Sequence, residues 1–159
     1  MAAAGAGIGV ARGLGIAVIG GGPGGLYFAS LAKQLDPTRR IEVWERNPPD
    51  DTFGFGVVFS EETLGGIEHA DPEVARLMRE RFAEWDDIDI HYRGTRITVG
   101  GNHFAAMSRH SLNRLLQERA RQLGVTVRFG ELAPSVEALS SDFDLVVAAD
   151  GPSNSAAAT

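Results

Sequence analysis

Residues 16–34 read IAVIGGGPGGLYFASLAKQ and place five glycines in the six positions 20–25. The apolar run 16–20 stops at those glycines, as a buried parallel strand does. From Gly24 to about Leu35 the pattern turns helical, and DPTRR (36–40) closes the segment. IEVWE (41–45) is a second strand, with RNPPDD (46–51) as a firm breaker behind it. Strand, glycine turn, helix and strand within about thirty residues make a βαβ unit, whose crossover is right-handed.

Gly20, Gly22 and Gly25 satisfy the pattern G-x-G-x-x-G. Gly20 permits the tight turn, Gly22 lets a pyrophosphate approach the backbone, and Gly25 lets the helix pack against the strand. With Pro23 and Gly24 they form a cradle whose phosphate end faces the unpaired N–H groups and positive dipole of a helix start. Glu45 follows Gly25 by twenty residues and ends the second strand, placed to accept hydrogen bonds from a ribose diol. Arg46 beside it is compatible with a 2′-phosphate, although a surface charge explains it as well. A P-loop is excluded, because the single lysine, Lys33, follows Ala32 inside the helix. The ligand is a dinucleotide of the NAD or FAD kind, and the fingerprint alone does not separate the two.

The rest of the chain fits one α/β domain. At 159 residues it is long enough for one core and short for two. Its net charge of −6 argues against a nucleic-acid partner. The absence of cysteine excludes disulfides, thiolate metal sites and dithiol redox centres, and a cytoplasmic location is the expectation. No apolar run is long enough to span a bilayer, so no membrane partner is expected. Residues 1–15 read as a flexible extension.

Residues 51–66, with FGFGVVF and LGG, read as a loop with a short extended piece. DPEVARLMRERFAEW (71–85) reads as one helix capped by Asp71, with Val74, Leu77, Met78, Phe82 and Trp85 on its core face. The acids of WDDID (85–89) then fall at a solvated helix end. IDIHYRG and TRITVGG alternate with period two and pair as a hairpin, a small β excursion around 88–100. SRHSLNRLLQERARQLG (108–124) is a helix capped by Ser108 and ended by Gly124, and VTVRF (125–129) is a strand. FDLVVAAD (143–150) reads as a buried central strand that delivers Asp150 and Gly151.

The four histidines have no metal-ligand spacing, so no metal is expected, and no G-x-S-x-G elbow points to a hydrolase. Trp44 and Trp85 are expected in the core rather than as stacking platforms.

Three motifs in order, GGGPGG…WER, SRHSLNRLL and DLVVAADG, resemble those of the FAD-dependent aromatic monooxygenases, the para-hydroxybenzoate-hydroxylase-like group. GFGVVFSEETL and HFAAMSRHSLNRLL are similar to its branch that acts on aromatic acyl-CoA substrates such as salicylyl-CoA and 2-aminobenzoyl-CoA. The resemblance implies a FAD-binding Rossmann-type parallel sheet with flanking helices, spanning residues 16–151. It implies FAD as cofactor, NAD(P)H as co-substrate, and hydroxylation of an aromatic ring with O2. Arg109 would reach the flavin's phosphate–ribityl region and Asp150 the ribityl and pyrophosphate, while GFGVV (54–58) would border the flavin edge without an assigned contact. No side chain is singled out as a catalyst, because the cofactor carries the chemistry.

The family pattern Asp-Gly-x-x-Ser-x-x-Arg is not completed by DGPSNSAAAT: Asn154 stands where the serine belongs, and no arginine follows. The chain therefore reads as a truncated N-terminal fragment with a divergent tail at 152–159, prone to association through an incompletely buried sheet. Two alternatives stay open at this stage. One is a non-catalytic dinucleotide-binding remnant, the other an NAD-binding oxidoreductase half.

Overall fold

A computed structural model describes residues 13–52 and 54–151. Residues 1–12 of the expected 1–15 extension, and the tail 152–159 with Asn154, lie outside the described residues, whereas Gly15 already opens the first, buried strand.

The opening βαβ unit forms as its sequence dictates. Strand β1 (Gly15–Ile19) runs into the glycine turn, helix α1 (Pro23–Leu35) carries the chain back, and β2 (Arg40–Glu45) pairs parallel to β1. Two further strands, β8 (Thr126–Phe129) and β9 (Leu145–Ala148), extend this into a four-stranded parallel sheet of order β8-β2-β1-β9.

Alternation along β1 and β2 feeds two cores. Ile16, Val18, Ile41 and Val43 face a large cluster with α1 and with α4 (Arg109–Gln122), whose stripe Leu112, Leu115, Leu116 and Ala120 is buried. Each such buried aliphatic side chain contributes about 1.5–3 kcal/mol. Ala17, Ile19 and Trp44 face the other way, onto Leu139 of the short helix α5 (Val136–Asp142). Trp44 is buried and meets Phe143 edge-on at 5.7 Å, so its expected core role holds. Helices thus cover both faces of a parallel sheet, the doubly wound arrangement.

Between β2 and α4 the chain departs from its sequence reading. LGG (64–66) is not loop. Strand β3 (Gly56–Ser60) leads directly into helix α2 (Glu61–Ala70), which Ser60 caps through the Thr63 N–H. Gly65 and Gly66 sit inside it, where the acidic first turn and the cap outweigh their poor helix propensity.

The helix expected over 71–85 is shorter: α3 spans Pro72–Arg79, and β4 (Ala83–Trp85) follows. A turn closed by the Arg81 N–H on the Met78 carbonyl breaks it, and β4 then pairs antiparallel with β7 (Phe104–Ser108). Trp85 accordingly stacks on Phe104 at 5.9 Å in a sheet instead of closing a helix face, and the acids 86–89 lie beyond a strand rather than at a helix end. β3 pairs with the other edge of β7, giving a three-stranded antiparallel sheet β3-β7-β4 that the sequence reading lacked. The expected hairpin forms as β5 (Ile88–Tyr92) and β6 (Thr95–Val99).

Asp71 caps α3 by accepting the Glu73 and Val74 N–H groups, each at 3.2 Å. It also does more than a cap. Fully buried, it takes a two-point hydrogen bond from Arg119 of α4, at 2.9 and 3.1 Å, and a further one from Gln34 of α1. One carboxylate therefore ties three helices together.

β9 is the last correction. It is an edge strand, half exposed along its length, because nothing among the described residues pairs with its outer side. It still delivers Asp150 and Gly151 at its C-terminal end.

Candidate dinucleotide-binding cleft

At the C-terminal ends of β1, β2 and β9 a cleft of about 910 Å³ opens. β1 hands the chain to β2 on one side, while β9 returns on the other. The cleft thus occupies the point where strand order reverses, the usual ligand crevice of such sheets.

The glycine turn forms its floor, and three glycines there are sterically fixed. Gly20 has φ +108°, and a β-carbon on it would lie 2.4 Å from the Ala149 carbonyl oxygen. A β-carbon on Gly25 would lie 2.0 Å from the Gly20 carbonyl oxygen, so the start of α1 is pressed against the turn. Gly21, an unconstrained position in the fingerprint, is equally tight: its β-carbon would come within 2.7 Å of the Glu45 Cβ. By contrast Gly22 and Gly24 face open space, with nothing within 4 Å. The motif therefore divides into glycines that let protein approach protein and glycines that leave room for a ligand.

Helix α1 begins without a capping side chain and without an acid in its first turn. Its N-terminal N–H groups and dipole are left to whatever enters the cleft.

Glu45 is held rigidly. One carboxylate oxygen accepts the Gly21 N–H at 2.8 Å and the other the Asn47 N–H at 2.9 Å. Each oxygen keeps a second lone-pair site for a ligand hydroxyl. Arg46 is exposed at the rim.

Arg109 opens α4, where Ser108 caps the helix and the Arg109 N–H donates to the Phe55 carbonyl at 3.2 Å. The fold brings it into the same cleft as the turn, Glu45 and Asp150, from a position more than sixty residues away from the nearest of them before it in sequence. Gly20, Gly22, Pro23, Gly24, Glu45, Arg46, Arg109 and Asp150 all line the cleft; Gly25 lies buried beneath it. GFGVV does not line it, although its Phe55 is tied to Arg109.

Sequence reasoning missed Asn113 and Gln117. They lie one and two turns beyond Arg109 on the same side of α4, and both reach the cleft wall. Asn113 donates to Thr52 Oγ1 at 3.0 Å and Gln117 to the Pro49 carbonyl at 2.8 Å, fixing the loop after β2. The i, i+4, i+8 spacing of three polar residues was the available signal. Phe129 and the stretch Leu132–Val136 also line the cleft and were not assigned.

Among the described residues no three His, Asp or Glu side chains converge as a metal site, and no helix is long and apolar enough to cross a membrane.

Fold and cleft together define a doubly wound α/β unit with a glycine-turn cleft at the C-terminal ends of its strands. No protein-family profile matches the chain. It is 50% identical over 136 residues to salicyloyl-CoA 5-hydroxylase of a Streptomyces species, covering 86% of this chain and 26% of that protein. It is 33% identical over 136 residues to 3-hydroxy-4-methyl-anthranilyl-[aryl-carrier protein] 5-monooxygenase of Streptosporangium sibiricum, covering 38% of it. A mutant form of 2-methyl-3-hydroxypyridine-5-carboxylic acid oxygenase shares the fold, with a TM-score of 0.77 at 20% identity over 90% of this chain and 41% of its own. The resemblance to aromatic monooxygenases read from the three motifs is borne out. The chain spans about a quarter to two fifths of the length of these relatives.

Proposed function

We propose that residues 16–151 are the FAD-binding portion of an aromatic-ring monooxygenase whose substrate is an aromatic acyl-CoA. The observation that carries this reading is the meeting of the glycine turn, Glu45, Arg109 and Asp150 in one cleft. The 50% identity to a salicyloyl-CoA hydroxylase supports the substrate class.

The cleft fits a dinucleotide. Where a β-carbon would be tolerated, at Gly22 and Gly24, the space is empty beside an uncapped helix start, which suits a pyrophosphate. Glu45, already anchored on two backbone N–H groups, would take the adenosine ribose hydroxyls, with Arg46 at the rim. Arg109 and Asp150 would hold the phosphate–ribityl part. Bound FAD, reduced by NAD(P)H, would supply the redox chemistry by which one oxygen atom of O2 enters an electron-rich ring while the other leaves as water. The protein's own share is to bind, orient and exclude water.

The half-exposed edge strand β9, beside the cleft, favours a second reading for the 159-residue chain alone: dinucleotide binding without turnover. Titrating the apoprotein with FAD, followed by flavin fluorescence and the visible spectrum, separates the readings. Tight binding with NADH- or NADPH-dependent bleaching is the expected result for a working flavin module. Binding without bleaching supports the second reading. Preference for NADH over FAD overturns the flavin reading and leaves an NAD-binding half.

A further inference from the structure

One short segment leads from the acid that ends β2 toward the arginine that opens α4. It begins at Asn47, whose N–H donates to the Glu45 carboxylate at 2.9 Å; past its end, the Phe55 carbonyl accepts the Arg109 N–H at 3.2 Å. Residues 47–52 wall the cleft, through Pro48, Pro49, Asp51 and Thr52 among others. Pro48, Pro49, Asp50 and Asp51 are exposed and belong to neither core. The two prolines stiffen the stretch but bring no N–H of their own to anchor it. Inside it, the Asp51 N–H closes a local turn on the Pro48 carbonyl at 3.1 Å. A segment so poor in buried apolar contacts keeps its place through polar contacts to its surroundings.

Helix α4 supplies those contacts from one stripe. Gln117 donates to the Pro49 carbonyl at 2.8 Å and Asn113 to Thr52 Oγ1 at 3.0 Å, while Arg114 and His110 approach the Asp50 carboxylate at 3.4 and 3.7 Å. Positions 110, 113, 114 and 117 share one helix face. The two contacts to Asp50 are exposed and contribute little. Asn113 and Gln117 differ: they are only 9% and 5% exposed, and each gives an amide N–H to the segment. The Asn113 Oδ1 is buried with no hydrogen-bond partner among the described residues, so Thr52 is the polar anchor of that side chain. Burying an amide is unfavourable unless it is hydrogen-bonded, and a helix that only had to pack would carry apolar side chains at two such positions.

We propose that Asn113 and Gln117 are positioning residues for the dinucleotide: they clamp the wall 47–52 onto α4, so that Glu45 and Arg109 meet one ligand across a preformed surface. Neither amide has to touch the ligand. This inference rests on the reading of the cleft as a FAD site. Its energetic content is preorganisation. With the wall unclamped, a ligand that runs from Glu45 to Arg109 must order it on binding, and affinity falls accordingly.

Two measurements on the 159-residue chain test this. Nitrogen-15 relaxation of the apoprotein at Asp50, Asp51 and Thr52 reports the clamp without any ligand. Gln117→Met and Asn113→Leu are each expected to lower the order parameters there from the rigid range of about 0.85 toward about 0.6. Titration with FAD, followed by flavin fluorescence, reads the consequence. Each variant is expected to bind about fivefold more weakly, the scale of one net hydrogen bond. Thr52→Val should match Asn113→Leu, and the two together should cost no more than either alone, because both remove the same contact. Thr52→Ser keeps the hydroxyl and should bind as the parent chain does. Far-UV circular dichroism checks folding, and Thr52→Val, on the wall itself, carries the test if a helix variant does not fold. Unchanged order parameters, unchanged FAD affinity, or losses that add in the pair overturn the proposal and leave the FAD reading standing. A parent chain that binds no FAD overturns both.

Discussion

The Glu45 carboxylate accepts the Gly21 N–H at 2.8 Å, and the two residues are so close that a β-carbon on Gly21 would sit 2.7 Å from the Glu45 Cβ. The glycine turn and the acid that ends β2 are thus one rigid unit, linked across the C-terminal ends of adjacent strands. Binding to such a unit loses less to ordering than binding to two independent loops.

Removing the acid therefore acts twice, deleting the ligand's acceptor and releasing the turn. Glu45→Ala is expected to weaken FAD binding by about tenfold or more, the scale of a lost hydrogen bond to a charged group. Fluorescence titration reads it directly, and an unchanged Kd would remove Glu45 from the site.

Gly25→Ala puts a β-carbon 2.0 Å from the Gly20 carbonyl oxygen, a backbone atom that has no flexible side chain to swing away. The expected cost is about 2 kcal/mol or more, in the range of overpacked cores. Gly22→Ala, facing open space, should leave stability nearly unchanged while impairing ligand binding. Urea unfolding of the two variants without ligand gives the comparison. Equal stability would show that the turn and α1 can separate freely.

Arg119→Leu strands the Asp71 carboxylate, which is fully buried and relies on that guanidinium for two of its hydrogen bonds. Breaking one partner of such a pair costs about 3–5 kcal/mol. Replacing both, as Asp71→Asn with Arg119→Leu, should recover part of the loss, because no buried charge remains. A denaturant midpoint for Arg119→Leu close to that of the parent chain would refute the account.

His103 donates to Asp86 across 2.9 Å, and this hydrogen bond raises its pKa above the usual imidazole value of about 6.5, with Asp86 and Glu84 adding charge attraction. A raised folded-state value means that the protonated imidazole stabilises the fold. That contribution is complete below about pH 6.5 and disappears as pH climbs through the higher folded midpoint. Proton NMR of the His103 ring should give a midpoint above 6.5 that falls in Asp86→Asn. An identical midpoint in both proteins would sink the assignment.

Local chemistry made much of this molecule legible in advance. The βαβ unit, its glycine turn, the Asp71 and Ser108 caps and the β5–β6 hairpin each rest on residues within a few positions of one another. A period, a cap or a turn residue is a short-range constraint, and it reads from the chain directly.

The failures share the opposite character. The stretch after Arg79 keeps a helical apolar spacing, yet Ala83–Trp85 is drawn into a strand by β7, some twenty residues on. Gly65 and Gly66 read as a break, but a cap on one side and packing against α3 keep them helical. β9 has the apolar run of a central strand, and its place at the edge depends on which strands are there to pair. Glu45, Arg109 and Asp150 could each be named from motifs. That they line one cleft, and that Asn113 and Gln117 join them, follows only from α4 packing beside α1 and β9 returning next to β1. The sequence by itself determined the glycine turn and the strands and helix around it, because those depend on steric freedom and hydrogen bonding between near neighbours. Tertiary structure decided the strand order and the closing of the cleft, because burial is a property of surfaces that distant segments bring together.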